Sequence, residues 1–202
     1  MTTARIGRTL TKMRWRIIAQ LTAAGVLLAA AVAAATDYVI ATDLGAMWPR
    51  YLFPQRPQGI VIHHSATGPI TDPAKVAEVI DKSHEERGWG VYFAGRVYHI
   101  GYHFVVLPDG QIIEGRPTWM PGAHCRGHNN TIGICLVGNF DCHGARPTYE
   151  QLRACAGLVK YLLRRHRLSE AKVYLHRELG QTACPGKYFP AKEFRELIEA
   201  DH

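Results

Sequence analysis

Histidine and cysteine side chains follow the ends of short apolar runs in this 202-residue chain. His63 and His64 end one such run, His176 follows another, and Cys184 comes eight residues after His176. Two imidazoles and one thiolate suit zinc, and three protein ligands leave the fourth position of a tetrahedral site open. Water bound at that position ionises near neutral pH and becomes a nucleophile. The spacing indicates a catalytic zinc site, although a surface histidine and a buried cysteine give the same pattern.

The two adjacent histidines are not equivalent. Neighbouring residues of a strand point to opposite faces of the sheet, so only one of His63 and His64 is expected to reach a metal. The alternation of the strand does not by itself say which one.

The elements that must position these side chains are short strands and amphipathic helices. Apolar runs predict strands at Ile60–Ile62, Thr131–Val137 and Val173–Leu175. Tyr102–Leu107 and Gln111–Glu114 flank a Pro-Asp-Gly turn and predict a hairpin. Strands that alternate with helices, plus one hairpin, predict an α/β fold in which helices flank a mixed central sheet.

Helix boundaries are marked by capping residues. Asp72 before Pro73 predicts the start of a helix that ends near Gly88. Thr148 followed by Gln151 predicts a capping box at the start of a second helix. A closing helix is expected over 191–200.

The N-terminus carries most of the excess positive charge. Five of the 24 Lys and Arg residues precede residue 17, and the remaining 19 nearly balance the 17 Asp and Glu. The positive charges at the N-terminus are therefore interpreted as a signal for membrane topology, and no nucleic-acid partner is expected. From Ile17 to Ala35 the chain is uncharged, and about 19 residues of helix are long enough to cross a bilayer core.

This pattern predicts an N-terminal apolar helix within a signal anchor or signal peptide over 1–36, then a linker over 37–57 and one domain over 58–202. The anchor interpretation places a membrane contact at residues 17–35 and the domain on the exported side, in the periplasm or cell envelope. The alternative is a cleaved signal and a secreted protein.

Five sequence blocks occur in a fixed order: IVIHHSAT (60–67), GYHF (101–104), GAH (122–124), TIGICLVG (131–138) and ACPG (183–186). Together they resemble the type 2 N-acetylmuramoyl-L-alanine amidases, the family of phage amidase lysozymes and animal peptidoglycan recognition proteins. The resemblance runs from about Gly59 to the C-terminus. It implies a central sheet with flanking helices, a Zn²⁺ ion in a surface groove, and cleavage of the peptidoglycan bond between N-acetylmuramic acid and L-alanine.

The resemblance also implies roles for individual residues. His63, His176 and Cys184 match the zinc ligands, which favours His63 over His64. Tyr102 matches the tyrosine that hydrogen-bonds the zinc water or the oxyanion, a site where a preorganised donor stabilises developing charge. Thr182 stands where the family has lysine or threonine to steady the tetrahedral intermediate. No Asp or Glu stands out as a general base, so we expect the water ionised by zinc to attack.

Two further residues are candidates for substrate binding. His124 resembles a position that lines the groove of the family, and it either contacts substrate or is a plain loop residue. Arg116 has the fork geometry to pair with a carboxylate of the stem peptide, or it is a solvated arginine. The segment 95–100 is longer than in the shorter phage enzymes, which leaves the groove edge undefined. Cys125 and Cys142 are candidates for a disulfide, whereas Cys135 and Cys155 are expected to be buried thiols.

The alternative function is a peptidoglycan-binding module of the same fold that does not cleave its ligand. Non-catalytic members of the family typically lack the cysteine ligand, and this chain has both Cys184 and Tyr102. These two residues favour an enzyme. A phage lysis role and a bacterial wall-recycling role are both compatible with the sequence.

Overall fold

A computed structural model of the chain describes residues 56–93 and 96–200. The predicted N-terminal apolar helix, the signal segment 1–36 and nearly all of the linker 37–57 lie outside these residues. Within the two described ranges, no helix is long and apolar enough to span a bilayer.

The described residues contain seven strands: β1 (Ile60–His64), β2 (Val91–Phe93), β3 (Arg96–Tyr98), β4 (Phe104–Val106), β5 (Ile112–Glu114), β6 (Ile132–Leu136) and β7 (Val173–Leu175). Five of them form a sheet in the order β5-β4-β6-β1-β7. β1 pairs in parallel with β6 and β7, and β4 pairs in parallel with β6 but antiparallel with β5. The mixed central sheet is therefore confirmed.

The same described ranges contain four α-helices that flank this sheet: α1 (Pro73–Glu85), α2 (Tyr149–His166), α3 (His176–Leu179) and α4 (Ala191–Glu199). α1 begins as predicted, because the carboxylate of Asp72 accepts the backbone N–H of Ala74 at 2.9 Å. Gly88 lies three residues beyond its end with φ +69°, a conformation that glycine adopts without strain.

Only half of the predicted capping box forms at the start of α2. The hydroxyl of Thr148 accepts the N–H of Gln151 at 3.0 Å. The amide of Gln151 does not return to Thr148; it donates to the carbonyls of Val106 at 2.9 Å and Val137 at 3.0 Å. This buried amide ties the first turn of α2 to two carbonyl groups of the sheet region, which the local sequence pattern does not reveal.

The helices cover both faces of the sheet, as three layers. α2 and α4 pack on one face in a cluster that includes Ile60, Ile62, Ile134, Val159 and Phe194. α1 packs on the other face, against Val105, Leu107, Cys135 and Val137. Full burial of each large aliphatic side chain stabilises the fold by about 1.5–3 kcal/mol. Both β1 and β6 are buried along their whole length, as expected of strands that are covered on two faces.

The strands β2 and β3 form a separate antiparallel pair. β3 falls in the segment 95–100, which the sequence marked only by its unusual length. Three-residue strands without a clear alternating pattern are too short to be recognised by periodicity.

Candidate metal centre

The three predicted ligands meet at one edge of the sheet. β1 and β7 are parallel neighbours, so the carboxyl ends of both strands lie at the same edge. His63 is near the end of β1, His176 is the first residue after β7, and Cys184 follows in the loop between α3 and α4. Their ligand atoms all lie within 4.8 Å of one another. Sheet topology thus brings His63 together with two residues that follow it by more than a hundred positions.

The loop that carries Cys184 is held by the residues around it. The backbone N–H of Arg177 donates to the carbonyl of Cys184 at 2.8 Å, and its guanidinium donates to the carbonyl of Gly186 at 2.8 Å. Thr182 is exposed, and its hydroxyl accepts the backbone N–H of Cys184 at 3.2 Å. A hydroxyl that accepts one hydrogen bond can still donate its own proton.

Burial shifts the protonation of all three groups. Burial lowers the pKa of His63 well below 6.5, and the neighbouring His124 and His176 lower it further. Burial also lowers the pKa of His176. Both imidazoles are therefore neutral at pH 7, which is the form that binds metal. In the absence of a cation, burial raises the pKa of the Cys184 thiol to about 12. A divalent cation is what would deprotonate it.

Tyr102 lies beside this cluster and is half-buried. Its ring centroid is 5.2 Å from that of His63 and 5.3 Å from that of His84. Burial raises the pKa of Tyr102 well above 10, so the phenol keeps its proton and is a hydrogen-bond donor. His84 packs against this ring from α1.

His64 faces away from the cluster. Its Nδ1 accepts the backbone N–H of Phe140 at 3.1 Å, and its Nε2 lies 3.7 Å from a carboxylate oxygen of Asp141. His63 packs instead against Tyr102, on the α1 side of the sheet. The strand alternation therefore separates the two histidines, and only His63 converges with His176 and Cys184.

The structure gives His124 a position different from the predicted groove-lining one. The residue is buried, its Nδ1 lies 3.0 Å from Nε2 of His63, and its Nε2 lies 3.0 Å from the carbonyl oxygen of Thr131. Both ring nitrogens are engaged inside the protein, so neither is available to a substrate. His124 belongs behind the candidate metal ligand.

Arg116 is also placed differently from the prediction. Its side chain is buried, and the guanidinium donates to the backbone carbonyls of Ile100 at 3.1 Å, Pro121 at 3.0 Å and Trp89. These bonds join three separate segments of the chain. A buried guanidinium that donates to three backbone carbonyls is held inside the fold, so Arg116 is corrected from a stem-peptide ligand to a structural residue.

The cysteines other than Cys184 form no disulfide in the described residues. Cys125 is buried, Cys142 is exposed, and both are free thiols, so the suggested pairing does not occur. Cys135 and Cys155 are fully buried thiols, as predicted.

A family model described as N-acetylmuramoyl-L-alanine amidase matches residues 53–187. The chain belongs to this amidase family. It is 35% identical to the endolysin of Escherichia phage T7 over 75% of this chain and 97% of that protein. Among solved structures it is similar to the amidase LysC of Clostridium intestinale, with 31% identity, a TM-score of 0.61 and coverage of 73% of this chain and 89% of LysC.

A second solved structure similar to this amidase-family chain is peptidoglycan recognition protein LE in complex with tracheal cytotoxin, a monomeric diaminopimelic acid-type peptidoglycan. The identity is 28%, the TM-score is 0.56, and the match covers 70% of this chain and 79% of that one. The α/β fold with a central sheet and flanking helices is thus that of the amidases and recognition proteins. Membership of the amidase family supports peptidoglycan amidase activity.

The relatives correct the predicted localisation. They are named as phage endolysins and peptidoglycan-recognition proteins, not as membrane-anchored proteins. The prediction of a membrane-anchored domain is therefore wrong, and the membrane contact through residues 17–35 has no support. That segment lies outside the described residues.

Proposed function

We propose that this chain is a zinc-dependent amidase that hydrolyses the bond between N-acetylmuramic acid and L-alanine in peptidoglycan. The observation that carries the proposal is the convergence of His63, His176 and Cys184, with ligand atoms within 4.8 Å of one another. Family membership supports the reaction, and the complex of a similar recognition protein with a peptidoglycan fragment supports the substrate class.

The donor set fits zinc. Sγ of Cys184 lies 3.7 Å from Nδ1 of His63. Zinc–nitrogen and zinc–sulfur bonds of about 2.0 and 2.3 Å place two tetrahedral ligands roughly 3.5 Å apart, close to that separation. Nitrogen and thiolate sulfur also disfavour magnesium and calcium, which prefer oxygen ligands. When bound, zinc polarises a carbonyl and makes water acidic enough to act as a nucleophile near neutral pH.

The residues around the ligands suit amide hydrolysis. The protonated hydroxyl of Tyr102 supplies a hydrogen bond to the negative charge that develops on the scissile carbonyl oxygen. Thr182 supplies a second hydroxyl from the exposed loop before Cys184. Neither residue needs to change its charge during the reaction, because each acts as a donor of a hydrogen bond.

The alternative, a module that binds peptidoglycan without cleaving it, keeps the same fold. The presence of the thiol ligand together with Tyr102 favours the enzyme over this alternative.

Digestion of purified peptidoglycan by the full-length protein distinguishes the two functions. We expect mass analysis to show free stem peptides with an N-terminal L-alanine, loss of this activity with a zinc chelator, and recovery when zinc is added back. Sedimentation of the protein with peptidoglycan, without release of any stem peptide, would instead identify a binding module.

A further inference from the structure

Behind the candidate metal ligands lies a short chain of buried polar groups. Nδ1 of His63 faces the sulfur of Cys184 at 3.7 Å, whereas Nε2 of His63 lies 3.0 Å from Nδ1 of His124. Nε2 of His124 in turn lies 3.0 Å from the carbonyl oxygen of Thr131. This series of hydrogen bonds therefore runs from the metal side of His63 to a backbone carbonyl.

The last acceptor of this series, the carbonyl of Thr131, determines the direction of both hydrogen bonds. The carbonyl of Thr131 can only accept, so Nε2 of His124 carries a hydrogen. The ring of His124 is buried and its two nitrogens face an imidazole and a backbone carbonyl, surroundings that favour the neutral form, in which Nδ1 has a lone pair. That nitrogen accepts from Nε2 of His63. A neutral His63 with its hydrogen on Nε2 presents the lone pair of Nδ1 towards Cys184, as a metal ligand must.

The surrounding backbone is built to hold the ring of His124. Asn129 accepts the N–H groups of His124 at 2.9 Å and Cys125 at 3.0 Å, which anchors the loop. A Cβ atom on Gly133 would lie 2.5 Å from Cδ2 of His124, and one on Gly122 would lie 2.3 Å from it. Any larger residue at either position would displace the ring. The two glycines thus leave room for one imidazole in one orientation.

We infer that His124 is a positioning residue, whose ring fixes the tautomer and orientation of His63 and thereby sets the zinc affinity of the site. The inference rests on the proposed zinc site. A metal-bound histidine is oriented by the partner of its other ring nitrogen, and loss of such a partner typically lowers metal affinity by about 10–100-fold. Here the partner is a second, neutral histidine, and a backbone carbonyl defines its tautomer.

Three variants of the full chain test the inference by chelator competition for zinc, with thermal unfolding as a check of folding. His124→Leu removes the acceptor, and zinc affinity is expected to fall by about 10–100-fold. His124→Asn keeps an oxygen acceptor at the position of Nδ1, and most of the affinity should return. Cys155→Ala is the control: it alters a fully buried side chain in the α2 core, on the face of the sheet opposite His63, and zinc affinity should not change.

An independent readout is the tautomer of His63 in the metal-free wild-type protein, measured by long-range ¹H–¹⁵N NMR. A hydrogen on Nε2 is expected. A hydrogen on Nδ1, or a folded His124→Leu variant with wild-type zinc affinity, would overturn the inference. Because the tautomer is measured without metal, it decides the question even if His124→Leu does not fold. Failure of the wild-type protein to bind zinc would refute the proposed function separately.

Discussion

The sulfur of Cys184 lies 3.7 Å from Nδ1 of His63, and it also accepts the backbone N–H of His64 at 3.4 Å. One thiol is thus held against the end of β1 by a backbone donor, beside an imidazole with a strongly lowered pKa. Neither group is charged when the site is empty of cations. A bound dication would replace the thiol proton and give the sulfur a negative charge.

Removal of this thiol is expected to abolish metal binding. Cys184→Ala leaves two neutral imidazoles for a dication, so zinc content should fall from about one per chain to near zero, together with activity. Cys155→Ala is the matched control, because Cys155 is a fully buried thiol in the α2 core. It should lower stability but keep zinc. Elemental analysis and peptidoglycan digestion measure both effects; an active Cys184→Ala variant would exclude Cys184 from the site.

Tyr102→Phe deletes one hydroxyl and leaves the ring in place. Zinc content and folding should persist, while turnover should fall by about 10²–10³, the usual effect of losing an oxyanion donor. Tyr161→Phe, an exposed position on α2, provides the control and should behave as wild type. If turnover of Tyr102→Phe with intact zinc equals that of wild type, the residue contributes packing alone.

The structural role of Arg116 predicts an effect on stability and none on substrate binding. Arg116→Lys keeps the charge but cannot reach all of the backbone carbonyls, and each one left without a donor costs about 1–3 kcal/mol in the free energy of unfolding. Arg153→Lys, on the exposed face of α2, should be neutral. Urea unfolding and steady-state kinetics separate the two roles: a raised KM with unchanged stability would restore Arg116 as a substrate ligand.

The free energy of unfolding is expected to fall in acid. Part of this loss arises from His103, whose pKa differs between the folded and unfolded protein. Burial lowers its pKa to about 4, against about 6.5 in the unfolded chain. Between these values the unfolded chain binds one more proton than the folded protein, so stability is lost as pH falls, by about 1.4 kcal/mol per pH unit.

His103→Gln removes this contribution. The variant should be less stable than wild type at pH 7.5, and the difference should shrink as pH falls from 6.5 to 5 in urea unfolding experiments. A gap that stays constant with pH would show that His103 does not change protonation on unfolding in this range.

The sequence alone determined most of the elements, though not the β2–β3 pair, and the residues that meet at the candidate centre. Strand runs such as Ile60–Ile62 and caps such as Asp72 are recognisable because period and capping are local properties of a few consecutive residues. His63, His176 and Cys184 followed from their positions after predicted strands and from the order of the family motifs. The mixed sheet followed from the alternation of strand and helix patterns.

Only the tertiary structure decided which groups are contacted by the polar side chains behind the candidate metal centre. His124 lies 61 residues from His63 in the chain, and Arg116 donates to carbonyls of segments that local patterns do not connect. His124 was a candidate because its position resembles one that lines the groove of the family, and Arg116 because its fork geometry suits a carboxylate. Their partners depend on the strand order β5-β4-β6-β1-β7 and on the loops that it brings together. Periodicity reports whether a residue is buried, but it carries no information on which distant donor or acceptor will satisfy it there.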